Sequence, residues 1–301
     1  MNAPAAEAVS EGGILAFERD GVVPLRQVFG REWLELVGRG IERELAHPGP
    51  GFVEQQSVDE PGRFVTDYCP AQRIPELQEF VLRSPAAELA GRVMRSSTAG
   101  FLMDVLWIKE PGTAKPSRWH HDQPYFCVDG RQMCSIWLPV DPVPADVSLA
   151  FVAGSHRWGR LFRPRLTRFQ QDLYRYDEVD ARAYEDMPDI DAERDKHRIL
   201  SWALEPGDCV VFHALTLHGA PGNPSATRRR RVLTTVWFGD DAIYGVRPSP
   251  PRPHFRGHAL EPGDPMRSEL FPRLWPRPAG VNPRALGAAR FSAATALRFS
   301  I

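Results

Sequence analysis

From residue 101 onward the chain breaks into short runs rich in Val, Ile, Trp and Phe, each closed by Gly, Pro, Asp or Ser. These runs are "FLMDVLWIKE", "MCSIWLPVD", "VSLAFVAG", "ILSWALEPGD", "CVVFHALTLHG" and "RRVLTTVWFGDD". β-Branched and aromatic side chains suit a pleated, half-buried surface, and the punctuating residues suit tight turns. A block of strands that follows a block of helices predicts a mainly β fold with flanking α-helices: a β-sandwich or jelly-roll barrel with helices packed outside it.

The helices come first. "ILAFERDGVVPLRQVF" reads as a short helix, a turn at Asp20-Gly21 and a strand ending near Leu25. In "REWLELVGRGIERELA", Trp33, Val37, Ile41 and Leu45 recur at i+4 and predict one amphipathic helix. Two further helices are expected at "IPELQEFVLRS" and "SPAAELAGRVMRS", with Pro75 and Pro85 in their first turns and Ser84 as the N-cap of the second. Residues 1–12 are small and polar and are expected to be disordered, and 13–280 are expected to form a single domain. Within it, residues 160–198 are long for a connection and predict a lid, and the proline-rich stretch 246–278 predicts an extended surface segment. The tail, 281–301, has no assignable place.

Composition narrows the function classes. Lys+Arg 37 against Asp+Glu 38 leaves a net charge of −1, so nothing draws the chain to nucleic acid or an anionic membrane. No apolar run approaches a membrane span, and the first residues lack the pattern of a secretory signal. Four cysteines without a CxxC pair suit a reducing compartment. The expectation is a soluble cytoplasmic protein acting on a small molecule.

One stretch carries chemistry: "SRWHHDQPYF", Ser117–Phe126. Along an extended segment, residues i and i+2 share a face, so His120 and Asp122 point together and His121 points away. A histidine and a carboxylate so placed supply two ligands of the 2-His-1-carboxylate triad that leaves positions open on non-haem Fe(II). The best-placed third ligand is His218, at the end of "GDCVVFHALTLHGAPGN". His213 reads as core or as support for a ligand, and His156 as structural. After His218 comes the run Arg228–Arg231, entering the strand "VLTTVWF". An inward arginine there has a use, since a guanidinium grips a carboxylate through two parallel bonds.

Together, "WHHDQPY", "SIWLPVDPV", "FVAGSHRWG", "EPGDCVVFHALTLHGAPGN" and the arginines resemble the phytanoyl-CoA dioxygenase family of Fe(II)/2-oxoglutarate oxygenases over roughly residues 14 to 275. The resemblance implies a double-stranded β-helix of the jelly-roll, cupin-like kind, with Fe(II) held by His120, Asp122 and His218. It implies 2-oxoglutarate and O2 as cosubstrates, and oxidation of an unactivated C–H bond with release of succinate and CO2. In that family the 2-oxoglutarate arginine commonly lies eleven residues after the second histidine, which here is Arg229, with Arg230 and Arg231 one and two residues on. Strand alternation puts Arg229 and Arg231 on one face, which makes Arg231 the fallback. Trp137 matches a tryptophan of the cosubstrate pocket, and Lys109 is a further candidate there. The carboxylate Asp122 implies a hydroxylase rather than a halogenase, which lacks it to admit chloride.

Two other readings use the same ligands. A zinc hydrolase also needs three protein ligands and a water, but has no need of the arginine and tryptophan; a cupin-like binding protein would bind without turnover. The substrate is not legible, although Arg63, Asp67, Tyr68, Phe169, Tyr174 and Tyr176 are candidates to meet it.

Overall fold

A computed structural model describes residues 8–56, 61–164, 184–247, 253–277 and 299–300. The first helix, α1 (Glu11–Asp20), begins where disorder was expected: the Ser10 hydroxyl accepts from Gly13 N–H at 3.1 Å and caps it. Residues 1–7 lie outside the described part. Gly21 ends α1 with φ +78, and a Cβ there would meet Thr216 Oγ1 at 2.3 Å, so the turn needs glycine on both counts. Then follow β1 (Val22–Leu25), α2 (Arg31–Ala46), β2 (Phe52–Gln55), β3 (Phe64–Tyr68), α3 (Pro75–Arg83) and α4 (Ala86–Val93). Within α2 the expected stripe faces the core, with Val37 and Ile41 fully enclosed and Trp33 and Leu45 partly buried against it. Ser84 sits one residue outside the expected cap: Pro85 is the N-cap of α4, and the Ser84 hydroxyl accepts from Ala86 N–H at 3.3 Å.

The strand block comprises β4 (Ala99–Lys109), β5 (Ser117–His120), β6 (Val128–Asp129), β7 (Met133–Pro139), β8 (Ala150–Val152) and β9 (Ile199–Leu200). It continues with β10 (Cys209–His213), β11 (His218–Ala220), β12 (Arg230–Phe238) and β13 (Ile243–Tyr244). Two main antiparallel sheets result, and β6 pairs separately with β13. The larger runs β1-β10-β7-β12-β4-β3-β2, and the smaller β5-β11-β8-β9. From β7 the chain passes to the small sheet for β8 and β9, back for β10, across for β11 and back for β12. That alternation makes a mostly β, jelly-roll architecture.

Both faces of the large sheet are covered. Its outer face, with Ile136, Leu138, Val211, Leu233 and Trp237, packs against the helices. Its inner face, with Trp137, Val210, Phe212 and Val232, packs against Phe151 and Ala220 of the small sheet. Each such side chain contributes about 1.5–3 kcal/mol by leaving water. The described part of the proline-rich segment, 253–277, does more than lie on the surface. Phe255, Met266, Leu270 and Phe271 are buried beside Met103 and Phe238, and Arg273–Trp275 adds a strand beside β4. Of the expected lid, residues 165–183 lie outside the described part, and its two ends meet where Phe162 bridges Glu185. The tail is described only at 299–300, paired with His254–Phe255.

Candidate metal centre

β5 and β11 are neighbours in the small sheet, and their register sets His120 opposite His218. The two imidazole centroids are 4.2 Å apart. Asp122 lies just past the end of β5, where its N–H and that of Gln123 both donate to Ala214 O, at 2.8 and 3.0 Å. This anchor turns the carboxylate back toward the histidines. Asp122 Oδ1 lies 3.5 Å from His120 Nε2 and 3.6 Å from His218 Nε2, and one donor atom from each residue falls within 4.8 Å of the others.

Hydrogen bonds settle which nitrogens are free. His120 Nδ1 lies 2.7 Å from Arg118 O, and His218 Nδ1 lies 2.9 Å from Thr216 O. A carbonyl only accepts, so each Nδ1 carries the proton and each Nε2 offers a lone pair toward Asp122. The Ser135 hydroxyl donates to Asp122 Oδ2 at 3.0 Å, which leaves Oδ1 for a cation. Burial penalises the Asp122 carboxylate, but His218, His120 and Ser135 outweigh that and hold its pKa below normal. Burial, reinforced by His120, pushes His218 down to about 4, so it is neutral and able to ligate at neutral pH. Burial lowers the His120 pKa, but its hydrogen bond and attraction to Asp122 outweigh that and raise it, so a metal must displace this proton. Two oriented imidazoles and one carboxylate are the donor set that suits Fe(II). His218 is 6 % exposed at its side chain and His120 25 %, so the centre opens on the His120 side, where Tyr125 stands edge-on at 6.1 Å.

The structure separates the other histidines from this group. His121 faces away, and its Nε2 accepts from Phe162 N–H at 2.9 Å. His213 contacts Arg131 O through Nε2 and accepts from Leu215 N–H through Nδ1, a structural role. His156 lies against Gly21 and the carbonyl of Glu18. Ser135 was not anticipated; the signal was a lone hydroxyl inside the apolar run "MCSIWLP".

The arginines depart from expectation. Arg229 pairs with Glu110 at 3.0 Å and Glu42 at 2.8 Å; Arg231 pairs with Asp141 at 2.7 Å and Glu42 at 2.9 Å. Both therefore lie on the helix side of the large sheet, because Glu42 belongs to α2. Alternation along β12 decides this: Arg229 and Arg231 share the parity of Leu233 and not that of Val232, which faces the small sheet. Arg230 points inward and is 6 % exposed. It donates to the carbonyls of Val147 and, at 3.2 Å, Pro221.

Lys109 is directly opposite Arg230 across β4 and β12, and Phe64 is opposite Lys109 across β3 and β4. The Lys109 ammonium is 2.9 Å from the same Pro221 O and 4.6 Å from the centre of the Phe64 ring. Among the described residues, no carboxylate forms an ion pair with either cation. Burial, with Arg230 as a second cause, lowers the Lys109 pKa to about 6. Burial also lowers Arg230, to about 10. Trp137 stands farther along the inner face, opposite Val210 and Thr234. Of the substrate candidates, Arg63 pairs with Glu54 and Asp67 lies beneath the outer face with Arg73. Tyr68 is half-buried edge-on to Trp107, and Phe169, Tyr174 and Tyr176 lie outside the described residues.

Comparison with solved structures finds the same fold. The carbocyclase SnoK of nogalamycin biosynthesis, described as non-heme alpha ketoglutarate dependent, superposes with TM-score 0.69 at 22 % identity, over 91 % of this chain and 99 % of that one. The epimerase SnoN, in complex with Fe3+, alpha ketoglutarate and nogalamycin RO, gives 0.67 at 21 %, over 90 % and 100 %. EctD from S. alaskensis, with 2-oxoglutarate and 5-hydroxyectoine, gives 0.62 at 19 %, over 86 % of each chain. No curated protein matches the sequence at a significant level. The family model for phytanoyl-CoA dioxygenase (PhyH) matches residues 17–232, which include all three donors, and so the chain belongs to the phytanoyl-CoA dioxygenase family.

Proposed function

We propose that the protein is an Fe(II)- and 2-oxoglutarate-dependent oxygenase that hydroxylates an unactivated C–H bond of a small organic molecule. The observation that carries the reading is the His120, Asp122, His218 group with both Nδ1 protons committed to carbonyls and Oδ1 left free. With iron bound, 2-oxoglutarate and O2 supply the oxidant, and succinate and CO2 are the coproducts. His120 Nε2, Asp122 Oδ1 and His218 Nε2 would hold the metal, and Ser135 keeps the carboxylate turned toward it. Arg230, rather than Arg229 or Arg231, would grip the far carboxylate of 2-oxoglutarate, with Lys109 beside it and Trp137 shaping the space between. Two buried basic side chains without a carboxylate among the described residues favour a dicarboxylate cosubstrate, which a zinc hydrolase does not need.

Asp122 occupies the position that a halogenase leaves to chloride, which supports oxygen rather than halogen transfer. Among the structures of like fold are a carbocyclase and an epimerase. The test is succinate release from 2-oxoglutarate with Fe(II) and ascorbate across a metabolite panel, with mass analysis of any consumed compound. A gain of one oxygen atom supports hydroxylation. Loss of two hydrogens, or isomerisation, keeps the oxygenase and corrects the outcome. No succinate with any metabolite, and none without, would refute the reading.

A further inference from the structure

Lys109 and Arg230 are an unusual pair. Lys109, on β4, is 2 % exposed, and Arg230, on β12, 6 %. Both donate to one oxygen, that of Pro221, at 2.9 and 3.2 Å. Two cations so placed are within roughly 6 Å of each other, and in a buried setting their repulsion is not screened away by water. The surroundings offer little relief. From β3 comes the Phe64 ring, from the segment after β11 the Pro221 carbonyl, and from β12 Arg230 itself. The next carboxylate along β4, Glu110, is held by Arg229 on the opposite face. Arg230 cannot shed its proton at ordinary pH, so Lys109 is the group that yields.

Resting on the cosubstrate reading above, we infer that Lys109 is a proton-accepting arm of the cosubstrate cradle: neutral while the cradle is empty, and charged once a carboxylate lies between it and Arg230. One proton therefore enters from solvent with each 2-oxoglutarate. The sign follows from linkage. Below about pH 6 the free protein already holds the proton on Lys109, and affinity does not change with pH. Above it, binding must recruit the proton, and affinity weakens as pH rises, until the pKa of the bound state is reached. With a free-state pKa of about 6, the dissociation constant rises up to about 80-fold between pH 6.5 and 8.5.

The experiment is an anaerobic calorimetric titration of 2-oxoglutarate into the Fe(II)-loaded full chain, at several pH values and in two buffers of different ionisation enthalpy. The wild type should take up about one proton per 2-oxoglutarate near pH 7.5. Lys109→Met should take up none and bind more weakly, with an affinity that no longer depends on pH. Lys109→Arg keeps a fixed charge and should likewise take up none. Circular dichroism melts establish that both variants are folded, and the arginine variant remains informative if the methionine variant is not. Proton uptake that persists in either folded variant, or a wild type with no uptake and a flat affinity, overturns the inference while leaving the cosubstrate reading in place. If 2-oxoglutarate fails to bind at every pH, the cosubstrate reading falls and this inference with it.

Discussion

Replacing Arg230 by alanine separates the inward arginine from its neighbours in the sharpest way. In the structure, among the described residues, its guanidinium donates to the carbonyls of Val147 and Pro221. Against a bound carboxylate it would make two parallel, charge-assisted bonds in a water-poor setting. Truncating one partner of such a buried pair costs roughly 2–5 kcal/mol, or about 30- to 4000-fold in affinity. Arg229 and Arg231 sit in partly exposed ion pairs with Glu42, Glu110 and Asp141, which contribute roughly 0–1 kcal/mol each to stability. The anaerobic dissociation constant for 2-oxoglutarate should therefore rise by at least about 30-fold in Arg230→Ala. In Arg229→Ala and Arg231→Ala it should change by less than about fivefold. Arg230→Lys should recover little, because one ammonium cannot reproduce the planar fork. Since Arg230 also ties Val147 to Pro221, Fe(II) affinity is measured in the same variant as a control for the fold. Retained iron with lost 2-oxoglutarate is the expected split. If Arg229→Ala or Arg231→Ala loses as much as Arg230→Ala, the alternation along β12 has been misread.

Three further outcomes follow from the geometry. Ser135→Ala frees Asp122 Oδ2 from its hydroxyl donor and should weaken Fe(II) binding by about 10- to 100-fold, as loss of a ligand's hydrogen-bond partner typically does; unchanged metal affinity in a calorimetric titration would count against the role given to Ser135. His121→Ala should keep the metal but lower stability by about 1–3 kcal/mol, because Phe162 N–H loses its buried acceptor, and His120→Ala should lose the metal. Denaturant melts and iron titrations on the two variants check this, and the opposite pattern would mean the strand register is wrong. Asp67 is pushed up to about 8, first by burial and then by Glu44, with Arg73 opposing. The folded chain thus binds more protons there than the unfolded one, so this contribution to stability is present at acid pH and is lost as pH rises from about 4 to about 8. Asp67→Asn should flatten that slope in melts between pH 5 and 8.5; a variant with the wild-type slope would place the titration elsewhere.

The helices and the clustering of His120, Asp122 and His218 were legible because each is a local pattern with one periodicity. Trp33, Val37, Ile41 and Leu45 mark α2 by i+4 spacing, and the period of two in the strand separates His120 from His121. The inward arginine was not legible by the same means. A strand with one wet face advertises its parity by alternating polar and apolar residues, but β12 lies between helices and a second sheet, and "RRVLTTVWF" has apolar residues at both parities. Counting from His218 by a family spacing then lands one residue from the arginine that faces inward. Asp67 escaped for a related reason, since burial of a carboxylate depends on what α2 and Arg73 bring across from elsewhere in the chain.

The two halves of the site are joined through one short piece of chain. His218 supplies a donor at one end of β11, and Pro221, three residues on, presents the carbonyl that both buried cations share. Three residues of extended backbone span about 10 Å, a separation of the order that a five-carbon dicarboxylate covers with a bond to a metal at one end and hydrogen bonds at the other. β11 thus acts as a ruler, and its outward neighbour cannot stretch it: a Cβ on Gly219 would lie 3.0 Å from Ser117 O and 3.3 Å from the Trp119 ring, so β5 and β11 stay close. Charge follows the same line. Asp122 alone offsets a divalent cation only in part, and Arg230 with a protonated Lys109 adds positive charge at the far end. A dianion with one carboxylate at each end compensates both, whereas a monoacid leaves one end uncompensated. On the proposed reading the preference for a dicarboxylate would start from Arg230 at the far end, with Lys109 adding its charge as the carboxylate binds.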